Sequence, residues 1–430
     1  MSQHTYDKQR PHSQLLEMRN SYSTTIPPGP AIFSFPPVIA NSKRIESIDF
    51  LRGAVMIIMA LDHVRDYFHQ DAFLYSPTDL SRTNIVLFFT RWITHFCAPA
   101  FVLLAGSAAY LYGQKTTKKK LSSFLLTRGI WLVFLELFVL GLFRTFNPGF
   151  PYFNLQVIWA IGISMIVLSG IIYLNRYLIL LFAFLLIAGH NLLDAVHIPG
   201  NNFAAFCWSL LHEVNHFSIG NFTVYVHYPL LPWIGLMAAG YCLGSLYAPS
   251  YDQKKRKKIL RWLGISAIAL FILLRSGNFY GDQANWSIQK SFTFSLLSFL
   301  NVSKYPPSLL YILMTIGPAL ILLSVTEKLA ASWKKVVIIF GRTPMFYYLA
   351  HILFIHLFAL IGAMISGYQA GDMILATSVN DSPQLKGYGF GLLVVYLVWI
   401  ALVFLLYPLC KAFEQYKRNH LPQKRWLSYL

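Results

Sequence analysis

Apolar stretches of about 20 residues recur along the chain, separated by short polar segments. A hydrocarbon core of about 30 Å needs about 20 consecutive apolar residues in helical form, so each stretch predicts a membrane-spanning helix. The ten expected spans are 48–68, 84–112, 121–145, 155–173, 176–194, 229–247, 259–276, 307–326, 336–361 and 388–410. The pattern therefore predicts an all-α fold, a polytopic membrane helical bundle of about ten transmembrane helices.

Composition and charge support this topology. Of the 430 residues, 56% are hydrophobic and only 12% are charged, whereas a soluble domain has about 25% charged residues. Lysine and arginine concentrate in alternate loops, at 118–120, 254–258 and 334–335, and in the tail after 411. Under the positive-inside rule both termini are cytoplasmic, in the plasma (inner) membrane. The net charge of +18 then reflects topology and anionic membrane lipid, and no nucleic-acid module is predicted.

Three regions follow from the same reading. Residues 1–43 are polar and proline-rich, which predicts a disordered cytoplasmic segment. Residues 44–412 form the transmembrane domain, and residues 413–430 form a basic cytoplasmic tail.

The first predicted helix carries ionisable side chains within an otherwise apolar stretch. Asp49, Arg52, Asp62 and His63 all lie in it, and because such groups are costly in a membrane we expect them to serve a function. Arg52 and His63 are eleven positions apart, and at about 100° per residue they point within roughly 20° of each other. We therefore predict a polar face on which both side chains line one shared cavity.

Each residue type on this face suits a step of group transfer. Histidine can accept a proton or an acyl group near neutral pH, so His63 is the candidate general base or transient acyl carrier. Asp66 lies one turn further on and is better placed than Asp62 to orient the imidazole. Arg52 and Asp49 lie towards the cytoplasmic end, where a guanidinium can bind the phosphates of an acyl donor.

Other predicted helices add polar groups at matching depths. Arg91 and His95 share a face of the second helix, and Arg128 lies near the cytoplasmic side of the third. His351, in the ninth helix, lies at about the height of His63, in the outer half. Together they predict a polar column that runs from a cationic inner mouth to an outer histidine site.

Purely structural alternatives stay open for these residues. Asp49 and Arg52 could form an ion pair at the membrane interface, and His95 could bond a neighbouring helix. Glu136 could pair with Arg128, two turns away on the third helix.

The predicted loop at 195–228 contains a second pattern of chemical interest. Its string His212-Glu213-Val-Asn-His216 would place two zinc ligands on one face if it were helical. No third ligand is identifiable in the sequence, so we predict no metal site. Because long loops in compact proteins are commonly functional, we expect His212 to lie in an acceptor-binding loop.

Several segments resemble a known family of membrane enzymes. The Arg52-x10-His63 spacing resembles the signature of integral membrane acyltransferases that acetylate O-antigen and other surface glycans. More closely, the segments 48–53 (IDFLRG), 98–106 (APAFVLLAG) and 228–235 (YPLLPWIG) resemble bacterial relatives of heparan-alpha-glucosaminide N-acetyltransferase. The segment Tyr348-Leu-Ala-His351 is similar to a late-span segment of the glycan acetylases.

The resemblance implies a cytosolic acetyl-CoA donor and a sugar or lipid-linked sugar acceptor on the far side of the membrane. The essential histidine of the glycan acetylases corresponds to His63 and their motif arginine to Arg52. In the heparan-type enzymes the reactive histidine follows the first span, where this chain has His69. The partners implied are acyl-CoA, the sugar acceptor and membrane lipid, and pairing into a homodimer stays open.

We therefore predict an acyl-CoA-dependent membrane acetyltransferase. The predicted catalytic residues are His63, Asp66, Asp62 and His95. The predicted donor-binding residues are Arg52, Arg128 and Asp49, and the predicted acceptor-binding residues are Arg91, His351, His69 and His212. Two alternatives remain: a transporter or channel with a buried His/Asp/Arg pathway, and a membrane scaffold or sensor without chemistry.

Overall fold

The structure is a computed structural model, and it describes residues 44–327, 331–421, 423–424 and 426–427. The segment 1–43, predicted to be disordered, lies outside the described residues, as does part of the predicted tail 413–430. The described residues form fifteen α-helices and three short β-strands.

The helices are numbered in chain order, and so are the strands. In chain order the helices are α1 (Glu46–Phe68), α2 (Ile85–Trp92), α3 (Cys97–Gly113), α4 (Lys118–Phe134), α5 (Gly141–Thr145), α6 (Val157–Ile171), α7 (Arg176–Gly189), α8 (Phe203–Leu211), α9 (Leu231–Leu243), α10 (Gln253–Ser276), α11 (Phe292–Leu300), α12 (Leu309–Thr326), α13 (Ser332–Arg342), α14 (Pro344–Ile365) and α15 (Leu392–His420). The strands are β1 (Tyr152–Leu155), β2 (Asn215–Ile219) and β3 (Phe222–Val226).

Some of these helices, alone or joined to a neighbouring helix, are apolar and long enough to cross a membrane. Within the described residues seven helical segments qualify: Ile85–Gly113, Lys118–Thr145, Arg176–Leu193, Gln253–Ser276, Leu309–Thr326, Pro344–Ile365 and Leu392–His420. Val157–Ile171 and Leu231–Tyr247 are apolar but shorter, and α1 has 23 residues with six charged side chains. The helical, multi-pass character is thus confirmed, while the number of ten spans and the cytoplasmic termini remain predictions.

The predicted ninth span, 336–361, is wrong in one detail, because the structure has two helices there. Helix α13 ends at Arg342 and α14 begins at Pro344, with Thr343 between them at φ −125° and ψ 45°. A residue that precedes proline is disfavoured in the helical conformation, and proline at the first helical position lacks a donor that the helix does not need. The Thr-Pro pair therefore ends one helix and starts the next.

The second span is also interrupted, near His95. A 3₁₀ turn at Ile93–Phe96 joins α2 to α3. Pro99 has no backbone N–H, so it cannot bond the carbonyl of His95, four residues earlier. The Tyr311 hydroxyl donates to that carbonyl instead, at 2.7 Å. The sequence thus replaces a local hydrogen bond with one from α12.

Helices α1 and α13 approach each other unusually closely. A Cβ added to Gly341 would lie 1.8 Å from the carbonyl oxygen of Asp49, and one added to Gly53 would lie 1.9 Å from that of Val337. Small residues allow this approach because no side chain separates the two backbones. The contact places the end of α13 against the first turns of α1.

A small sheet, which the all-α prediction did not include, lies on the loop side of the bundle. Strand β3 pairs parallel with β1 and antiparallel with β2, in the order β1-β3-β2. The hairpin between β2 and β3 turns at Gly220-Asn221, where Gly220 has φ +59°, a conformation that glycine adopts without strain. Phe217, Val224 and Val226 pack under α8.

Candidate functional site

Two neighbouring cavities lie inside the bundle and share two lining residues. The larger, of about 1020 Å³, is named here the basic cavity, and its charged lining residues are Arg44, Asp49, Arg52, Lys115, Arg128, Arg342 and Lys417. The smaller, of about 220 Å³, is named the histidine cavity, and its charged or imidazole lining residues are Asp62, His63, Arg65, Asp66, Arg91, Arg144, His227 and Lys304. Phe101 and Val157 line both cavities and so mark the place where they meet.

The basic cavity is strongly cationic. Six lysine and arginine side chains line it, against the single carboxylate of Asp49 among its described lining residues. Lys115 directly follows α3, Arg342 ends α13 and Lys417 lies in the last turn of α15. The ends of α3 and α15 adjoin the lysine-rich segment 118–120 and the basic tail, so the cavity opens toward the predicted cytoplasmic side and suits an anionic ligand.

Asp49 holds two guanidinium groups at the wall of this cavity. Its carboxylate lies 3.4 Å from Arg52 Nη1 and 3.5 Å from Arg342 Nε. Arg52 also donates to the carbonyl oxygen of Gly341, at 3.2 Å. The close packing of α1 on α13 thus fixes both arginines relative to each other.

Arg128 lines the basic cavity, and the ion pair described for Glu136 is with a different arginine. Glu136 forms its ion pair with Arg144, and its other carboxylate oxygen accepts from the amides of Ile158 and Trp159 at 3.0 and 3.2 Å. These amides are at the N-terminus of α6, where unpaired N–H groups and the helix dipole favour a carboxylate. They fix the carboxylate of Glu136 against the start of α6.

In the histidine cavity the aspartates of α1 bind arginines. Asp62 pairs with Arg91 and lies 3.0 Å from Arg65 Nη2, while Asp66 Oδ1 accepts from the same Nη2 at 2.6 Å. We expected Asp66 to orient the imidazole of His63, so this expectation is corrected. A fully charged arginine at the next position competes more strongly for the carboxylate than a neutral imidazole would.

His63 lines the histidine cavity beside two aromatic groups of α14. Its ring centroid lies 5.3 Å from that of His351 and 6.3 Å from that of Tyr348. His351 Nδ1 donates to the carbonyl of Tyr347 at 2.9 Å, which leaves its Nε2 as the acceptor nitrogen. That Nε2 is buried and has no hydrogen-bond partner among the described residues.

Tyr348 connects the two cavities. Its side chain lines the basic cavity, and its hydroxyl oxygen accepts from Nη2 of Arg144, which lines the histidine cavity, at 3.2 Å. Because the guanidinium donates, the phenolic proton is available to another acceptor. Glu136 in turn fixes Arg144, and the turn of helix at Leu135–Leu140 that carries Glu136 is π-helical, a feature common at functional sites.

The expectation that Arg52 and His63 share one cavity is wrong. Arg52 lines the basic cavity and His63 lines the histidine cavity. Eleven residues of helix separate them by about 16 Å along the axis, so a common face does not bring them together. The predicted column from a cationic mouth to a histidine site is instead two adjoining cavities, with Tyr348 at the boundary.

Of the other predicted site residues, Arg91 lines the histidine cavity, and His95 and His69 do not. His95 is buried beside Tyr311, with ring centroids 5.5 Å apart, and its Nδ1 has no partner among the described residues. His69 follows the end of α1, pairs through its backbone with Phe390, and has Nε2 4.0 Å from Asp71. Neither is placed to act on a group in the cavity.

His212 lies away from both cavities as well. Its Nε2 is 3.0 Å from Asp194 Oδ1, and its ring packs against those of His190 and Trp208. Helix α8 ends at Leu211 and β2 begins at Asn215, so residues 212–216 do not share one helical face. The arrangement that the zinc alternative requires is therefore not formed.

Sequence reasoning missed four residues of the histidine cavity. Arg65 and Arg144 lie near the C-terminal ends of α1 and α5, and Lys304 and Tyr305 precede α12. Their charge could have identified the three cations in the sequence. Each lies beside an apolar span and outside the lysine- and arginine-rich loops. Which carboxylate each one meets depends on the packing of distant segments.

The region around Lys304 is electropositive. Burial and the charges of Lys304, Arg91 and Arg144 hold the pKa of His227, in the loop before α9, well below its ordinary value. His227 is therefore neutral at physiological pH and contributes a hydrogen-bonding ring, rather than a charge, to the cavity.

Comparison with known protein families gives a match over more than half of the chain. The family described as "Heparan-alpha-glucosaminide N-acetyltransferase, catalytic" matches residues 44–276, a little more than half of the chain. The matched region begins just before α1 and ends with α10, so it contains His63, Arg144 and His227, while Lys304 and Tyr348 lie beyond it. No curated protein matches the chain.

Proposed function

Because the chain belongs to the heparan-alpha-glucosaminide N-acetyltransferase catalytic family, a family of membrane acetyltransferases, we propose that it moves an acetyl group from acyl-CoA to a sugar. In this proposal the donor binds from the cytoplasm and the acceptor, a sugar or lipid-linked sugar of the cell envelope, binds on the far side. The observation that carries the proposal is the pair of cavities of different chemistry that meet beside His63 and Tyr348.

The basic cavity suits the donor. Coenzyme A carries phosphates at one end and a long neutral arm at the other, and arginine forks bind phosphate oxygens in a bidentate way. Arg128 and Arg342 lie among six cations in a cavity of about 1020 Å³, at the upper end of the roughly 300–1,000 Å³ usual for ligand pockets. The thioester would then reach the boundary between the cavities, where Tyr348 lies.

His63 and Tyr348 are proposed to act on the two sides of the transfer. His63 takes the proton of the acceptor N–H or O–H as its nitrogen or oxygen attacks the thioester carbonyl carbon. Tyr348 donates its phenolic hydrogen bond to the carbonyl oxygen as negative charge develops there. The C–S bond then breaks, and the departing thiolate takes the proton from the His63 imidazolium. Transient transfer of the acyl group to His63 is the alternative route.

Arg144 and His351 are proposed as positioning residues. Arg144 donates to the Tyr348 oxygen and thereby directs its proton elsewhere. His351 packs against His63, with its Nδ1 fixed by a backbone carbonyl. The pairs Asp62–Arg91 and Asp66–Arg65 line the acceptor side.

The donor assignment can be tested with acetyl-CoA and acetyl-pantetheine, which lacks the nucleotide phosphates. In proteoliposomes the KM of the wild type for acetyl-CoA should be lower than its KM for acetyl-pantetheine by about tenfold to a hundredfold. This ratio of KM values is the one expected for one or two charge-assisted hydrogen bonds. Arg128→Gln and Arg342→Gln should reduce this ratio. Turnover of acetyl-pantetheine shows that each variant is folded.

The matched control is Arg261→Gln, since Arg261 is exposed on α10 and lines neither cavity. This variant should keep the wild-type ratio. An unchanged ratio in both cavity variants would place the donor elsewhere. Solute flux through sealed vesicles without any acetyl transfer would instead favour the transporter alternative.

A further inference from the structure

The charges of the histidine cavity nearly balance, with one exception. Four cations line it, and three have a carboxylate partner: Arg91 pairs with Asp62, Arg65 with Asp66, and Arg144 with Glu136. Lys304 has no carboxylate within ion-pair distance among the described residues. The cavity therefore carries one uncompensated positive charge.

Lys304 is largely withdrawn from solvent. It is 8% exposed, and its Nζ lies 5.2 Å from the centroid of the Tyr305 ring. Withdrawing an ammonium group from water is costly unless an anion or several acceptors replace the lost hydration. Within the described part of the chain no anion does so, which leaves the ammonium available to a ligand in the cavity.

The loop that carries Lys304 is held in place by hydrogen bonds. The Asp282 carboxylate accepts from the backbone N–H and hydroxyl of Ser303 at 2.9 and 2.8 Å, and from the hydroxyl of Ser308 at 2.7 Å. Asn301 donates to the carbonyl of Thr78 at 3.1 Å. These contacts on both sides of Lys304 fix its backbone, so the position of the charge is built into the fold.

The Tyr305 ring beside the ammonium group belongs to a cluster of aromatic rings. The Tyr305 ring centroid lies 4.2 Å from that of His227 and 5.1 Å from that of Tyr228. Tyr228 and Tyr305 both line the histidine cavity with their hydroxyls 3.5 Å apart. Flat rings with polar edges beside a fixed cation are suited to a sugar ring that carries one acidic group.

We propose that Lys304 binds a carboxylate or phosphate group on the acceptor sugar, with Tyr228 and Tyr305 against the ring. The acceptor is then an anionic sugar, such as a uronic acid or a sugar phosphate. This inference rests on the proposed function, because it assigns the acceptor to the histidine cavity. The phosphates of the donor are taken up by the other, more basic cavity.

Three matched amino sugars test the proposal: glucosamine, glucosamine 6-phosphate and glucosaminuronic acid. For the wild type at least one anionic sugar should have a KM lower than that of glucosamine by about tenfold or more. The anionic sugar with the lower KM identifies whether the site prefers phosphate or carboxylate. Lys304→Gln should remove the preference, and Lys304→Arg should restore much of it. Lys290→Gln, in an exposed position of the preceding loop, should keep the full preference.

Two results would overturn the proposal: no preference of the wild type for an anionic sugar, or the same preference in Lys304→Gln. If no sugar is acetylated by any variant, the proposed transferase function fails, and binding then tests Lys304 alone. Thermal shifts with the same three sugars should favour the anionic ones in the wild type and not in Lys304→Gln. Equal shifts in both proteins would refute the subsite.

Discussion

Replacing Glu136 and Arg144, singly and together, tests the arrangement that holds Tyr348 at the cavity boundary. Glu136 is 1% exposed and faces three donors, the Arg144 guanidinium and the amides of Ile158 and Trp159. In Glu136→Gln the single amide oxygen can face either the guanidinium or the two backbone amides, and the NH₂ group then meets the donor or donors on the other side. Leaving one member of a buried ion pair without its partner costs about 3–5 kcal/mol.

The double variant Glu136→Gln/Arg144→Gln should behave differently. The oxygen of residue 136 can then accept from the α6 amides while its NH₂ group donates to the amide oxygen of residue 144, and no buried charge is left alone. The loss of stability should therefore be smaller than the sum of the two single losses by about 1–3 kcal/mol. Turnover should stay low in the double variant, because Tyr348 has lost the donor that directs its proton.

The free energy of unfolding can be measured in mixed detergent micelles for the wild type, both single variants and the double variant. Acetyl transfer is measured on the same preparations. If the double variant loses the full sum of the single losses, the two side chains are not coupled and the described pair is wrong. If it regains both stability and full turnover, Arg144 has no role in placing Tyr348.

Three further predictions follow from the geometry. Tyr348→Phe should lower kcat by about 10²–10³ with little change in the KM for acyl-CoA, because the lost donor acts on charge that develops only during transfer. Gly341→Ala should destabilise the protein by about 1–3 kcal/mol or more, since the new methyl group would meet the Asp49 carbonyl. Burial, opposed by Asp194, lowers the pKa of His212, and burial and nearby cations lower the pKa of His227. The unfolded chain therefore binds more protons than the folded protein at acidic pH, so the free energy of unfolding should fall as the pH drops below about 6.5.

Each of these has a matched measurement. Steady-state kinetics with Tyr348→Phe separate kcat from KM, and a rise in KM alone would contradict the proposed role. Gly170→Ala is the control for Gly341→Ala, because nothing lies within 4 Å of a Cβ at that helical glycine. Thermal unfolding from pH 7.5 to 5.5 should show a weaker pH dependence in His227→Gln than in the wild type, and an identical dependence would refute the sign argument.

The fold was largely predictable because its information is local. Apolar runs located each of the seven membrane-length helical segments, although not the short helices α8 and α11, and the positions of lysine and arginine gave the expected orientation. The Thr-Pro pair could have predicted the break at Thr343, but the residues on both sides of it are apolar, so a single span was predicted across it. The three-stranded sheet was not predicted, because its strands are five residues or fewer and pair across long sequence separations.

The candidate site was predictable only in part, because its pairings come from packing. Periodicity correctly brought His63 and Asp66 to one cavity, yet it could not show that Arg65 would take the carboxylate expected for His63. Lys304 lies outside the predicted spans, and it stands out only because the other three cations of the cavity have carboxylate partners. These pairings become visible only when the positions of all the side chains are known.

The central claim is that His63, where the two cavities meet, carries out the transfer. The most direct measurement follows label from acetyl-CoA to acceptor in proteoliposomes for the wild type and His63→Ala, with acetyl-CoA binding measured on the same samples. The variant should bind acetyl-CoA like the wild type, since His63 does not line the basic cavity, and should lose turnover by at least about a hundredfold. Full turnover in His63→Ala would contradict the account.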